Sequence, residues 1–582
     1  MRYASPFALL YEGTKLSAMF SSFLAQVMSS SPDGLRICFY LDKAKPGSNT
    51  QRPDIARTHQ CIYWSVLQFP SWFRSRRNGW IPFAYVESNA QTQVGASDSM
   101  LVRALCHIFD PPNAEPCFSK GFGVVGPDGT VVTCRCSHYL SVADWEQHVK
   151  SFNLKGYNGS VPCGCCQNVL GRCTYFDNDP TFVHLFSPEY DKLLKHTPAT
   201  FAALADTVRD VAFTEPARLP VVEQSSGIKF DPHGLLWDTH ARRCLQPPFG
   251  EYPDWMHTFV ASGGLAQYEV NGLVLKLADA NISPADIDTW CLDVKVPSGC
   301  TKLRKSFWQD RVVLRPDAHI RAFASELLSA VTYLGFFIDA VFRDLADPSF
   351  QPYLDCFDLL RIILDLFQRA DARSIPTLRS AIHSHHILYM QLYHCIAKLH
   401  QPLHCVDFWE MWQALVSCFG PERHHKLMKR VMLNAYRNPS VSALAHDVRT
   451  WLRNLEKPEV FMEFHFIGKV VQCDFTLPGP VWINAMGSAL QCPIGSFSKC
   501  DLVQYTGSSQ GVPSLGFSLG FVRSNVMEHY CIIWKCMAMA GSPFWQRTDH
   551  DYGVIPATAL VCSLPYLELA DGAIATMTRA DL

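Results

Sequence analysis

The run Leu35-Arg36-Ile37-Cys38-Phe39-Tyr40-Leu41 is almost unbroken in its apolar character, and it follows the turn-forming segment Ser29-Ser30-Ser31-Pro32-Asp33-Gly34. A short β-rich run bounded by turn residues predicts a strand buried on both faces, ended by the acidic Asp42. The same pattern predicts strands over Cys61–Phe69 and Trp80–Val86. Helical spacing follows over Ser97–Phe109, through Met100, Leu101, Ala104, Leu105 and Ile108. Gly121–Val125 and Thr130–Cys136 flank Gly126-Pro127-Asp128-Gly129, a hairpin signal with Asp-Gly at the turn. His138–Ala143 is a further apolar run that hands over at Asp144 to a predicted helix Trp145–Phe152.

Beyond this point the pattern changes three times. Lys155–Arg172 is dense in Gly and Cys and predicts an irregular insert. Helical periodicity dominates from Asp254 to about Arg453, with apolar stripes in Phe323–Phe342, Tyr353–Phe367 and Phe408–Phe419. After Pro458 β-branched and aromatic residues cut by Gly/Pro turns predict a separate β-rich unit. The expected organisation is therefore an N-terminal helix (1–34), a first core segment (35–155), a Cys-rich insert (156–200), a mainly helical insertion (201–400), a helix completing the core (401–455) and a β-rich C-terminal domain (458–582).

Of the 582 residues 48% are hydrophobic and 18% charged, a balance that excludes a largely disordered chain. The net charge of −2 supplies no global field for nucleic acid, so such binding must come from local basic patches. Twenty-three cysteines are scattered through the chain, and the N-terminus lacks the basic start and small-residue cleavage pattern of a secreted protein. Reduced thiols and a soluble intracellular location are expected. The most apolar stretch, Leu327–Phe342, is short for a membrane span and carries Asp339, so no membrane association is expected.

Four constellations could carry chemistry. Asp42, Asp144 and Glu422 each stand at the end or start of an element. Carboxylates converging from separate elements can bind two divalent ions for phosphodiester displacement, whereas singly such residues serve as turn formers or caps. Cys163 and Cys166 have C-x-x-C spacing, with Cys173 and His184 downstream and Cys134, Cys136 and His138 as alternative partners for a Zn²⁺ ion; buried free thiols are the plainer reading. In Asp254-Trp255-Met256-His257 the acid and imidazole lie on one helix face, able to orient each other, although an N-cap would look the same. Arg74, Arg76 and Arg77 beside Trp72, and Lys426, Lys429 and Arg430, are basic patches suited to a phosphate backbone or an ordinary surface. The histidines at 383, 385, 386, 394, 400 and 404 read as scattered positions on a helical surface.

Taken in order, FYLDKAKPG, VADWEQHVKSFNLKGYNGSVPCGCCQNV, DWMH and CFGPERHHKLMKR resemble the catalytic region of cut-and-paste DNA transposases of the DDE/D type. The arrangement is similar above all to the CACTA (En/Spm) and Kyakuja-Dileera-Zisupton groups and to transposon-derived reading frames, over roughly residues 35–455. The resemblance implies an α/β, RNase H-like mixed sheet interrupted by a cysteine-rich insert and a large helical insertion. It implies that Asp42, Asp144 and Glu422 hold catalytic Mg²⁺ or Mn²⁺, with Asp254 and His257 accessory and Asp254 an alternative second carboxylate. Zn²⁺ would be structural, the partner would be DNA at transposon ends, the location nuclear, and the assembly homo-oligomeric. The alternative is a domesticated, catalytically inactive module that binds nucleic acid or protein, in the nucleus or cytoplasm.

Overall fold

The computed structural model describes residues 2–45, 58–171, 181–297, 300–435, 438–467, 470–477, 481–493, 495–506, 513–524, 527–539, 545–568 and 573–576. The chain divides into two compact units: residues 1–258 with 395–461, and residues 259–394 with 462–582. It leaves the first unit after Thr258 and re-enters it at Cys395.

The first unit begins with two helices, α1 (Pro6–Leu16) and α2 (Ala18–Ser29), where the sequence pattern suggested one. Ser17 divides them: its extended backbone breaks the helix, and its hydroxyl accepts the Phe20 N–H as an N-cap. Strands β1 (Leu35–Ala44), β2 (His59–Val66) and β3 (Ile81–Glu87) follow. Next come α3 (Asp98–Phe109), capped by Ser97, then β4 (Cys136–Ala143) and α4 (Trp145–Ser151). The Asp-Gly hairpin between α3 and β4 pairs Phe122–Val125 with Val131–Cys134 as its turn chemistry predicts. Further on lie the short strand β5 (Glu251–Pro253) and the helix α5 (Trp255–Phe259). After the re-entry come α6 (Gln401–Trp412), α7 (Phe419–Asn434) and α8 (Pro439–Leu455).

The five strands form one mixed sheet in the order β3-β2-β1-β4-β5. β1 pairs antiparallel with β2, and β2 with β3, while β1, β4 and β5 run parallel. Leu35, Ile37, Phe39 and Leu41 join a core with Phe20, Trp64, Val102 and Phe109. On the other face Cys38 and Tyr40 are buried as well. A strand covered on both sides needs a continuous apolar run, which is why β1 stands out in the sequence.

Asp42 does not end β1. The antiparallel ladder to β2 continues through Asp42↔Cys61 to Ala44↔His59, whereas the parallel ladder to β4 stops at Tyr40↔Val142. The charge therefore marks the point where one neighbour is lost.

The expected domain boundaries shift at two places. Helix Pro198–Thr214 belongs to the first unit, burying Phe201, Ala205 and Val208 in its core. Residues 259–394 instead share a unit with the β-rich segment. There Val294, Tyr333 and Phe336 pack with Ala575, and Lys295 forms a backbone bridge with Tyr566. Ala324–Leu345 is the one helical stretch, among the described residues, long and apolar enough to cross a membrane; 61% of its most apolar window is buried in the protein, as in the core helix of a globular unit. Among its described residues the C-terminal segment forms a nine-stranded sheet and a three-stranded one.

Candidate active site and metal cluster

The register of the parallel strands brings the first three acids to one level. Tyr40 pairs with Val142 and Val142 with Tyr252. Asp42, Asp144 and Asp254 each lie two residues beyond that row, on the same pleat parity. Adjacent strands are about 4.8 Å apart, so the register places the three acids side by side along one edge of the sheet.

Each acid is held differently. Asp42 Oδ1 accepts the Lys43 N–H at 2.6 Å, and Oδ2 accepts from the Tyr40 hydroxyl at 3.3 Å with His425 Nδ1 at 3.5 Å. Lys43 turns to Asp98, at 3.9 Å. Asp144 caps α4: Oδ1 accepts the Gln147 N–H at 2.7 Å, and the second oxygen has no hydrogen-bond partner among the described residues. Asp254 is buried and fully engaged. Its Oδ1 accepts the Cys418 and Met256 N–H groups at 3.1 and 3.3 Å, while Oδ2 accepts the His257 N–H at 3.2 Å and meets His257 Nδ1 at 2.6 Å. The cap and the orienting pair, alternatives in the sequence, are both present.

His257 links this anchor to the late helix, because its Nε2 lies 3.1 Å from Glu422 Oε1. α7 is itself fixed from below. Asp447 on α8 accepts from Tyr85 at 2.6 Å, meets His424 Nε2 at 2.6 Å and pairs with Arg77 at 3.1 Å, while Tyr63 stacks on His424 with ring centroids 4.5 Å apart.

Asp42 is close enough to Asp144 and Glu422 for their charges to act on it. Asp42 is pushed up to about 6, first by desolvation, then by the Asp144 carboxylate and to a smaller extent by Glu422. Burial would lower His257, but hydrogen bonds and charge from Asp254 and Glu422 outweigh it and raise the imidazole to about 10. Lys398 is lowered to about 8 by desolvation, against the pull of Asp144 and Asp254, and its Nζ donates to the His257 carbonyl at 2.7 Å.

Two buried imidazoles near the recess give a pH prediction. Burial lowers His148 to about 4 and His425 to about 3. With folded values below the unfolded value of about 6.5, the unfolded state takes up the proton first, so each imidazole destabilises the fold as pH drops below about 6.5. For His148, whose Nε2–H donates to the Tyr252 carbonyl at 2.9 Å, the loss at pH 5 is about 2 kcal/mol. Denaturant unfolding should show that a His148→Gln variant loses about 2 kcal/mol less than the wild type between pH 7 and pH 5. Equal losses would mean that His148 carries its proton in the fold.

A second cluster lies in the same unit. Cys163, Cys166, His400 and His404 are all buried, and their ligand atoms lie within 4.8 Å of one another. Cys163 Sγ is 3.3 Å and Cys166 Sγ 3.5 Å from His404 Nε2; Cys166 Sγ is also 3.5 Å from His400 Nε2, and the two Nε2 atoms are 3.0 Å apart. Burial opposes ionisation of Cys163, but hydrogen bonds from Cys165 and Cys166 and the charges of His404 and His400 pull the thiol well below its usual range. Asp407 stands 3.7 Å behind His404 Nδ1, held by Lys195 at 2.6 Å, so the imidazole turns Nε2 inward. These four residues could hold one metal ion.

This corrects the expected ligand set. His184 is exposed, its Nδ1 accepting the Phe186 N–H, and it lies outside the cluster. Cys173 lies outside the described residues. Cys134, Cys136 and His138 are also absent from the cluster. The pair the sequence reading missed is His400 and His404, whose H-x-x-x-H spacing on one helical turn was the available signal. His385, His386, His400 and His404 are buried, not spread over a surface.

Three other groups come together: Asp254, His257 and Cys418 form the anchor described above, its acid and imidazole in hydrogen-bond contact at 2.6 Å, and the remaining two are less metal-like. Glu269 and His385 are 2.6 Å apart, the separation of a hydrogen bond, tighter than two ligands of one tetrahedral ion. In the group Asp110, His240 and Cys244, the Arg243 guanidinium donates to His240 Nδ1 at 2.9 Å, which leaves the proton on the Nε2 that a metal would need.

The first basic patch is structural. Arg74 is buried, donating to the Phe69 and Leu415 carbonyls; Arg77 pairs with Asp447; Arg76 lies over Trp72 and donates to the Val460 carbonyl. These guanidinium groups satisfy backbone oxygens and a buried acid. Lys426 and Arg430 are exposed on α7, the helix that bears Glu422, with Lys429 half-buried beside them.

No protein-family model matches this chain, and no curated protein matches it significantly.

Proposed function

We propose that this chain is a transposase-derived, DDE-type enzyme that cleaves or transfers DNA strands with divalent metal ions, on an RNase H-like core. The observation that carries the reading is the common level of Asp42, Asp144 and Asp254 at the same end of three adjacent parallel strands, with Asp254 joined to Glu422 through His257. The strand order, three antiparallel strands followed by two parallel ones, supports it.

Roles follow from what each carboxylate has left to offer. Asp42, Asp144 and Glu422 are half-exposed, an oxygen-only donor set suited to Mg²⁺ or Mn²⁺. Asp254 has both oxygens occupied, so it acts as the anchor that holds His257, and through it Glu422, against the recess. This favours Asp144 as the second coordinating acid. When bound, the ions would stabilise the attacking and leaving oxygens. In hydrolysis a water oxygen bonds to phosphorus, the bond from phosphorus to the 3′ oxygen breaks, and the water proton ends on solvent while the 3′ oxygen is protonated. The exposed cations of α7 lie on the helix of the site, where a phosphate backbone would approach.

The donor set of the second cluster, two thiolates and two imidazoles, suits structural Zn²⁺. Its ligands come from either side of the 259–394 excursion, so the ion would fasten the returning chain to the segment that precedes the departure.

The test is nicking of supercoiled plasmid DNA by the full chain. Conversion to open circles with Mn²⁺ and none with EDTA is expected. Binding to DNA with no metal-dependent cleavage would support the inactive binding module instead.

A further inference from the structure

Lys398 is a ligand in neither metal set, yet its backbone adjoins one and its side chain bonds to His257, beside the other. Its backbone lies in the 3-10 turn Ala397–His400, which runs straight into α6 and carries the cluster ligands His400 and His404. Gln401 and Cys405 in the same segment meet the Thr258 hydroxyl at 3.4 and 3.7 Å, so the turn is docked on α5. From this support the ammonium donates to the His257 carbonyl at 2.7 Å, and the Asp144 and Asp254 carboxylates act on it electrostatically. A long, half-buried cationic side chain is thus held against the backbone of His257, where the charges of Asp144 and Asp254 act on it.

Charge arithmetic assigns it a task. Asp42, Asp144 and Glu422 bring three negative charges, and the Asp254–His257 pair is neutral overall. Two divalent ions and one phosphodiester then leave the recess balanced, until in-line attack adds one further negative charge to the phosphoryl oxygens. A preorganised cation in a water-poor recess favours that added charge more than it favours the ground state. We propose that Lys398 is a catalytic residue that contacts a non-bridging oxygen of the scissile phosphate and stabilises the charge gained there during cleavage. This rests on the nuclease reading above.

The competing role is a helix cap: Lys398 would only satisfy the His257 carbonyl. The two differ in what its removal disturbs. In the full chain, Lys398→Met and Lys398→Gln should lower kcat for Mn²⁺-dependent nicking by about 100-fold with little change in KM. Lys398→Arg, which keeps the charge, should recover at least a tenth of the wild-type rate. Mn²⁺ affinity, titrated without DNA, should be unchanged or tighter, because a repelling charge has gone from beside Asp144. Wild-type rates in the Met and Gln variants would overturn the proposal. So would a fall in rate accompanied by equally weakened Mn²⁺ binding and unfolding temperature, which is the signature of the cap. Absence of nicking by the wild type would overturn the nuclease reading itself, whereas metal-dependent wild-type nicking that Lys398→Met leaves intact would overturn only the assignment to Lys398.

Discussion

Replacing Cys163 with serine is expected to release one zinc ion per chain and to destabilise the first unit by more than about 4 kcal/mol, the range reserved for losses such as a structural metal. The expectation follows from burial. Cys163, Cys166, His400 and His404 are each almost inaccessible, and without an ion they must satisfy one another as thiolate and imidazolium in a dry site. Losing the ion also frees the turn that carries Lys398 and α6, so the recess should loosen with it. Metal analysis with thermal unfolding of Cys163→Ser and His404→Ala reads both effects. Cys165→Ser and His184→Ala are the controls: Cys165 is buried next door and His184 was a ligand expected from sequence, but neither joins the four, and both variants should keep the ion. A full zinc complement in Cys163→Ser would refute the cluster.

Asp42→Asn and Asp144→Asn should each reduce Mn²⁺-dependent nicking by at least about 10³-fold, equivalent to about 4 kcal/mol of transition-state stabilisation. An amide keeps the shape and offers one neutral oxygen in place of a charged pair, so ion binding fails while the fold persists. Asp254→Asn should behave differently. Its carboxylate accepts three N–H groups and faces the His257 imidazole, so the change strikes the fold and the placement of Glu422 first. Its expected signature is a lowered unfolding temperature together with lost activity, where Asp42→Asn and Asp144→Asn leave the unfolding temperature close to that of the wild type. Reversed signatures for Asp144 and Asp254 would exchange their roles. Nicking rates and calorimetry on the three variants decide it.

What the sequence made legible was what local pattern controls. β1 announced itself because both of its faces are buried, and Ser97 and Asp144 stand where capping chemistry expects them. The positions of Asp42 and Asp144 were readable too, because each follows an apolar run, whereas Asp254 follows a Pro-rich turn; the parallel register carries all three to one level. Long-range closure was not readable. His400 and His404 come more than 230 residues after their cysteine partners, and nothing local signals that the chain returns to the first unit after residue 394. Charge misled where it is spent internally: Arg74 and Arg77 look like surface cations in sequence but serve carbonyls and Asp447. The different hydrogen bonding of Asp144 and Asp254 is set by backbone groups that only the fold brings to them.

The most direct measurement is the position of Mn²⁺ in crystals of the full chain grown with that ion near pH 8, where Asp42, raised to about 6, is ionised. Above its folded value the carboxylate no longer competes with a proton for the metal. The account predicts two anomalous-scattering peaks about 3.5–4 Å apart, ligated by Asp42, Asp144 and Glu422, with Asp254 still bound to His257 and outside the coordination sphere. Peaks elsewhere, or Mn²⁺ absent from the recess while all three carboxylates are ordered, would contradict it.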